Sequence, residues 1–170
     1  QLLDEQWSDA NRRFTQFIEK NYPVWLAGAD RPVMSPDVLP QFVQNHLENN
    51  EKVVLILMDC LRSDQLKAMT GQLSQVFHLE TEYFLSILPS ATPYSRNAIF
   101  SGYFPSELQG RYPDLWPKMW GNEKSMNQFE EKFLKDYLTQ NGLTSKSVHY
   151  HKILSYDGGH KLVSRIGEYK

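Results

Sequence analysis

Six apolar residues in a row, Val53-Val54-Leu55-Ile56-Leu57-Met58, are followed at once by Asp59. The run has the length of a strand, contains β-branched side chains and shows no polar alternation. Such a segment suits a central strand of a parallel sheet covered on both faces. It also makes Asp59 hard to explain by packing. An ionised carboxylate at the end of an apolar run is costly unless it is paired or bound to a cation. Two readings follow: Asp59 ligates a metal ion, or it caps the helix expected over residues 61–70.

The rest of the chain is read around that segment. Residues 1–22 have helical periodicity, with Trp7, Asn11, Phe14 and Ile18 three or four apart and Phe17 beside them. Pro23 is expected to end that helix, and residues 27–36 read as a loop. Ser35-Pro36-Asp37 has the signature of a helix start: a hydroxyl, a proline and an acid. Leu39, Phe42, Val43, His46 and Leu47 form its stripe, with Pro40 expected to bend it. A second strand is expected over 82–88, and a helix over 93–101 closed by Gly102. A further helix is expected over 125–140, with Phe129, Phe133, Leu134, Tyr137 and Leu138 on one side. A third strand is expected over 147–150. This order predicts an α/β layered sheet with helices on both faces, preceded by a helical segment. The boundary falls at residue 50, giving units 1–50 and 51–170. The first unit should add no strand and should pack through Trp7, Phe14, Phe17, Phe42 and Leu47.

Charge and cysteine content narrow the function classes. The chain carries 18 basic and 20 acidic residues, a formal net charge of -2. That balance lacks the basic excess with which proteins grip duplex nucleic acid, while leaving room for a small anionic substrate held by metal ions. Cys60 is the one cysteine, so no internal disulfide can form and a cytosolic origin is expected. No apolar run approaches the roughly 18 residues needed to span a bilayer, and no signal peptide is evident. The chain opens directly into helical sequence, which reads as a piece of a larger protein.

A second candidate site is Pro89-Ser90-Ala91-Thr92-Pro93-Tyr94-Ser95-Arg96-Asn97. Thr92 stands where a helix N-cap should be, and Pro93 takes the first helical position. Backbone N–H groups and the helix dipole there favour negative charge. A hydroxyl at this place can serve as a metal-activated nucleophile, or simply as a cap. Arg96 and Asn97, about one turn on, are candidates for binding phosphate oxygens. Weaker candidates are Arg62, which can face a phosphate or pair with Asp64, and His149 and His151, which would share a strand face and can bind metal or sit on an edge; Arg62, Arg96 and Arg111 read equally well as surface residues. Gly158-Gly159 lacks the lysine and spacing of a phosphate loop. Tyr112, Trp116 and Trp120 form an aromatic, proline-rich insertion that reads as a lid or a packing loop. Cys60 reads as a small buried filler, and His46 as a partly exposed helix residue.

Taken together, Val53–Asp64 and Ile87–Gly102 closely resemble the start of a PglZ domain, a member of the alkaline phosphatase superfamily. The resemblance is nearest to the PglZ-domain response regulators of the Bacteroidetes type IX secretion system. Ser8-Asp9-Ala10-Asn11 and Phe17–Tyr22 look like the end of the helical linker that precedes the domain there. The resemblance implies that Asp59 is a metal ligand and that Thr92 both bridges metal and attacks phosphorus. The implied cofactor is zinc in a two-metal site, with Asp59 and Thr92 oxygens roughly 3–4 Å apart. The implied enzyme is a phosphodiesterase or phosphatase acting on a phosphate ester or nucleotide-like small molecule, with no membrane span and a possible homodimer in the full protein. The alternative is a non-catalytic scaffold that binds a sigma factor or a secretion-system protein. The superfamily's later ligands, an Asp and His in N-F-x-D-x-x-x-H and then an Asp-His pair, do not occur in these 170 residues. On this reading the two-metal site is incomplete, and the isolated chain is expected to hydrolyse phosphate esters poorly or not at all.

Overall fold

The computed structural model describes residues 2–28, 30–121, 126–144 and 147–169. Its residue contacts divide the chain into two units, Gln1–Val33 and Met34–Lys170. The first unit holds one long helix, α1 (Leu2–Leu26), in which no residue is buried. The helix does not stop at Pro23 as expected. Ala27 N–H donates to the Pro23 carbonyl at 3.2 Å, so the chain keeps turning past the proline. The missing proline N–H costs one internal bond without breaking the last turn. Within this unit, Trp7, Phe14 and Phe17 lie at least half exposed along the helix.

The second unit is helical. A 3₁₀ turn at Ser35–Asp37 leads into a wide π turn at Pro40–Gln44 and the short α2 (Asn45–Glu48). The widening begins at Pro40, where an i→i+4 bond cannot form. The capping roles at this start differ from expectation. Asp37 accepts from the Met34 N–H at 2.8 Å, whereas the Ser35 hydroxyl accepts from the distant Ile87 N–H at 3.1 Å. Next come α3 (Ser63–Leu73), α4 (Thr92–Ser101), α5 (Pro105–Arg111), α6 (Trp116–Met119), α7 (Glu130–Gln140) and α8 (Tyr156–Arg165). Residue 125, expected to begin the α7 helix, lies outside the described residues.

The expected layered α/β sheet is not present. Among the described residues there is no strand, only one isolated parallel bridge between Met34 and Leu85. The run 53–58 has no regular secondary structure and no paired segment, and Val54 and Ile56 are 72% and 70% exposed. The segments 82–88 and 147–150 are likewise not strands. The physical reason lies in what β-propensity measures. It records how well side chains fit a pleated surface between neighbours, and a ladder needs partner segments to supply the bonds. No described segment pairs with 53–58.

The core forms around α4 and α7. Gly102 ends α4 in the left-handed region at φ +73°, and its N–H donates to Ala98 O at 2.9 Å. A side chain there would also meet Tyr137 at 3.0 Å, so this close approach calls for glycine. One apolar cluster joins Phe100, Leu108, Met119 and Phe133. A second joins Leu39, Tyr137, Leu138 and Leu143, with Leu47 packed against it. Tyr112, Trp116 and Trp120 belong to the border of the first cluster, and the Tyr112 ring packs tilted against Phe133, 5.0 Å between ring centres. The aromatic insertion is therefore a packing element.

Candidate functional site

The chain around Thr92 is pinned before the helix begins. Ser86 and Ser95 share a hydroxyl hydrogen bond of 2.8 Å, and wholly buried Ile87 is tied to Ser35. These contacts set where residues 88–92 run and where α4 starts. Ala91, rather than Thr92, is the N-cap, and Thr92 is the first helical residue. The Ala91 carbonyl accepts from the N–H groups of both Tyr94 and Ser95, at 3.0 and 3.1 Å. Pro93 has no N–H to offer. The anion cradle expected at this turn is thus smaller than the sequence suggests, because the Tyr94 and Ser95 N–H groups are already spent on the Ala91 carbonyl. Ala91 brings no side-chain capping bond to the start of α4, and among the described residues no hydrogen bond is made by the Thr92 hydroxyl.

Asp59 lies at the end of the apolar run, exposed, in a turn with Cys60. Cys60 is exposed rather than a buried filler, and it takes the left-handed conformation at φ +56°. That backbone state is uncommon for a residue with a Cβ and costs on the order of 1–2 kcal/mol. It swings the chain sharply after Asp59. Asp59, Thr92, Arg96, Asn127 and Lys152 all line one open cleft of about 1260 Å³. The structure therefore brings the two leading candidates, Asp59 and Thr92, onto the same cleft.

Arg96 also faces that cleft, but its guanidinium is held from behind. Nε and Nη2 donate to the two carboxylate oxygens of Glu130 at 2.6 and 2.9 Å, and Glu130 is wholly buried. The Tyr150 hydroxyl donates to the same carboxylate at 2.5 Å. The bond to Glu130 holds the Arg96 pKa above its ordinary value; desolvation opposes this, and the Asp59 charge adds slightly to the rise. Burial, reinforced by the bond to Glu130, raises the Tyr150 pKa. A bidentate, fully satisfied pair of this kind fixes side-chain direction as well as charge.

Asn97 does not face a substrate space. It is buried, and its amide donates to Pro93 O at 2.6 Å and to Met126 O at 2.9 Å, tying α4 to the turn before α7. Arg62 pairs with Asp64 at 3.0 and 2.6 Å on the open surface. Arg111 lies over the Tyr103 ring, 4.2 Å from its centre. His149 stacks on Tyr169, whose hydroxyl meets His151 Nε2 at 2.6 Å. His46 is exposed and bonded to Glu51 at 2.6 Å. Among the described residues no group of three or more His, Cys, Asp or Glu side chains converges.

Glu130, Tyr150 and Lys152 were not evident as site residues from sequence. For Glu130 a signal existed. It precedes Phe133, Leu134 and Tyr137 by three, four and seven residues, so it sits on the apolar stripe of its own helix. An acid on such a stripe requires a buried partner.

A family model described as the BREX system PglZ alkaline phosphatase-like domain matches residues 38–166, about three quarters of the chain. The match takes in Asp59, Thr92, Arg96, Glu130 and Tyr150. No curated protein matches the chain.

Proposed function

The chain belongs to the PglZ alkaline phosphatase-like family, and on that premise we propose that it carries the nucleophile side of a metal-dependent phosphate-ester hydrolase site. The observation that carries this reading is the shared cleft: Asp59 and Thr92 line it together, and the Thr92 hydroxyl is not spent on capping α4. In this reading Thr92 Oγ attacks phosphorus in line, and its own N–H faces a phosphoryl oxygen. Arg96, aimed by Glu130, offers positive charge one helical turn away. The attack breaks the P–O bond to the leaving alcohol, which takes up the proton lost by the Thr92 hydroxyl, and leaves Thr92 phosphorylated; water then cleaves that bond and releases phosphate from a monoester or the phosphate monoester from a diester.

Asp59 and Thr92 provide two oxygen donors, which fits part of a divalent-cation site; zinc normally takes three or four protein ligands. A cation held by both, zinc being the one the family resemblance suggests, would supply charge neutralisation and a lowered hydroxyl pKa. The finer reading, a type IX secretion response regulator, draws on the likeness of Val53–Asp64 and Ile87–Gly102, and of the segment before them, to that group. A non-catalytic scaffold is the second reading, favoured by the commitment of Arg96 to Glu130.

The test uses the intact protein that carries this chain. Asp59→Asn should weaken zinc binding at least about tenfold by calorimetry. Thr92→Ala should abolish turnover of a chromogenic phosphodiester while leaving the circular dichroism unchanged. Near-normal turnover in folded Thr92→Ala protein would remove Thr92 from the nucleophile role. Absence of turnover in the wild type would favour the scaffold.

A further inference from the structure

Two buried side-chain atoms among the described residues have no hydrogen-bond partner, Asn97 Oδ1 and Asn127 Nδ2. They differ in their surroundings. Asn97 does not line the cleft, and its amide nitrogen is spent on Pro93 O and Met126 O. Asn127 is only 9% exposed, yet it lines the cleft with Asp59, Thr92 and Arg96. A buried N–H donor without an acceptor has given up its hydration and gained nothing in return, so native proteins rarely leave one. At the wall of a cleft, an acceptor from outside the chain would complete it.

The turn that carries Asn127 is fixed close to the start of α4. A single nitrogen, Asn97 Nδ2, donates to Pro93 O at 2.6 Å and to Met126 O at 2.9 Å. Pro93 follows Thr92 and Met126 precedes Asn127, so both residues adjoin carbonyls that meet at that one nitrogen. The Arg96–Glu130 pair ties the same two elements together a turn further on. Lys152 Nζ donates to the Asn127 carbonyl at 3.3 Å, and Lys152 also lines the cleft. The groups gathered near Thr92 on this side are thus an amide, an ammonium and a guanidinium. Ammonium and guanidinium are donors only, and the free atom of the amide is a donor too. Such a set suits an oxygen-rich anion. It also supplies what the first turn of α4 lacks, since Ala91 O already takes the Tyr94 and Ser95 N–H groups.

We propose that Asn127 Nδ2 and Lys152 Nζ bind the non-bridging oxygens of the phosphoryl group presented to Thr92, a role that rests on the hydrolase reading of that residue. Their contributions differ in kind. The buried amide gives a directional hydrogen bond, and the ammonium on its flexible stem acts as a point charge that salt screens. Neither nitrogen offers a lone pair to a cation, so the subsite is separate from the metal-binding role of Asp59.

The probe is inorganic phosphate, titrated by calorimetry into the zinc-loaded intact protein. Asn127→Asp should weaken phosphate binding at least about tenfold, the scale of one hydrogen bond to an anion, and leave zinc affinity unchanged. Lys152→Met should weaken it about two- to fivefold and flatten its dependence on salt. Asn127→Ala should unfold in urea no earlier than the wild type, because the lost N–H had no partner, and should bind phosphate as poorly as Asn127→Asp. A wild type that does not bind phosphate, wild-type binding in either Asn127 variant, or loss of folding in Asn127→Ala would overturn the proposal. Thr92→Ala separates this subsite from the nucleophile: that variant should lose turnover and keep phosphate binding. Turnover retained in Thr92→Ala, with phosphate binding lost in Asn127→Asp, would remove the nucleophile and leave the anion subsite standing.

Discussion

The α4–α7 pairing and the run 53–58 are both strongly apolar, yet they end in opposite surroundings. Phe100, Leu108, Met119 and Phe133 close on one another, while Val54 and Ile56 remain largely exposed. The difference is one of hydrogen bonding before it is one of hydrophobicity. A helix satisfies its backbone from residues four positions away, so α4 and α7 can form and then pack. An extended run satisfies nothing by itself, and without a paired segment its side chains have no surface to join. The same contrast applies to charge. Glu130 is wholly buried because Arg96 and Tyr150 complete it. Asp59 stays exposed, which keeps it available to a ligand.

The sharpest way to break this contrast is to remove equal chemistry from both regions. Phe133→Ala deletes a wholly buried ring and should cost about 3–5 kcal/mol in urea unfolding. Ile56→Ala, at a side chain 70% exposed, should cost less than about 0.5 kcal/mol. Comparable losses at the two sites would show that the apolar run is buried in solution and that the contrast is false.

The contrast also explains which parts were legible in the sequence. The helices at 93–101 and 125–140 were readable because capping, periodicity and the terminal glycines Gly102 and Gly142 are local signals. Their observed spans, Thr92–Ser101 and Glu130–Gln140, differ mainly at the N-terminal ends. The strands were not readable in this sense, because pairing depends on partners that a run's own residues do not specify. For the site, Asp59 and Thr92 were visible as chemistry out of place, and both line the cleft. The partners of Arg96 and Asn97 were not, because Glu130 and Met126 are about 30 residues away in sequence and close only after α4 meets α7.

A smaller effect probes the buried charge itself. Tyr150→Phe removes one donor to Glu130 and should cost about 1.5–3 kcal/mol, the range for hydrogen bonds to charged groups. The alkaline limb of stability should change with it. A tyrosine whose folded pKa is raised contributes stability that is complete below its ordinary value near 10 and is lost as pH rises through the raised value. Tyr150 behaves so because of burial first and its bond to Glu130 second. Tyr137, pushed up by burial to about 12, adds a loss between about 10 and 12. Unfolding measured between pH 8 and 11 should therefore fall less steeply in Tyr150→Phe than in the wild type. An unchanged slope would mean that the Tyr150 hydroxyl is not held against Glu130 in solution.

The smallest expected effect on stability is at Thr92, and its smallness is informative. A threonine that caps a helix costs about 0.5–2 kcal/mol when replaced by alanine, because one orphan N–H loses its acceptor. Here Ala91 is the cap residue and its carbonyl already takes the Tyr94 and Ser95 N–H groups, so Thr92 is relieved of that task. Alanine also suits the first turn of a helix at least as well as threonine. Thr92→Ala should then shift the unfolding free energy by less than about 0.5 kcal/mol in either direction, as surface substitutions do. The urea midpoint of the intact protein measures this directly. A loss of 1 kcal/mol or more would assign the hydroxyl to capping and weaken its claim on a phosphate ester. A near-zero change leaves a hydroxyl beside Asp59's cleft with no structural duty, and that is the condition a nucleophile must meet.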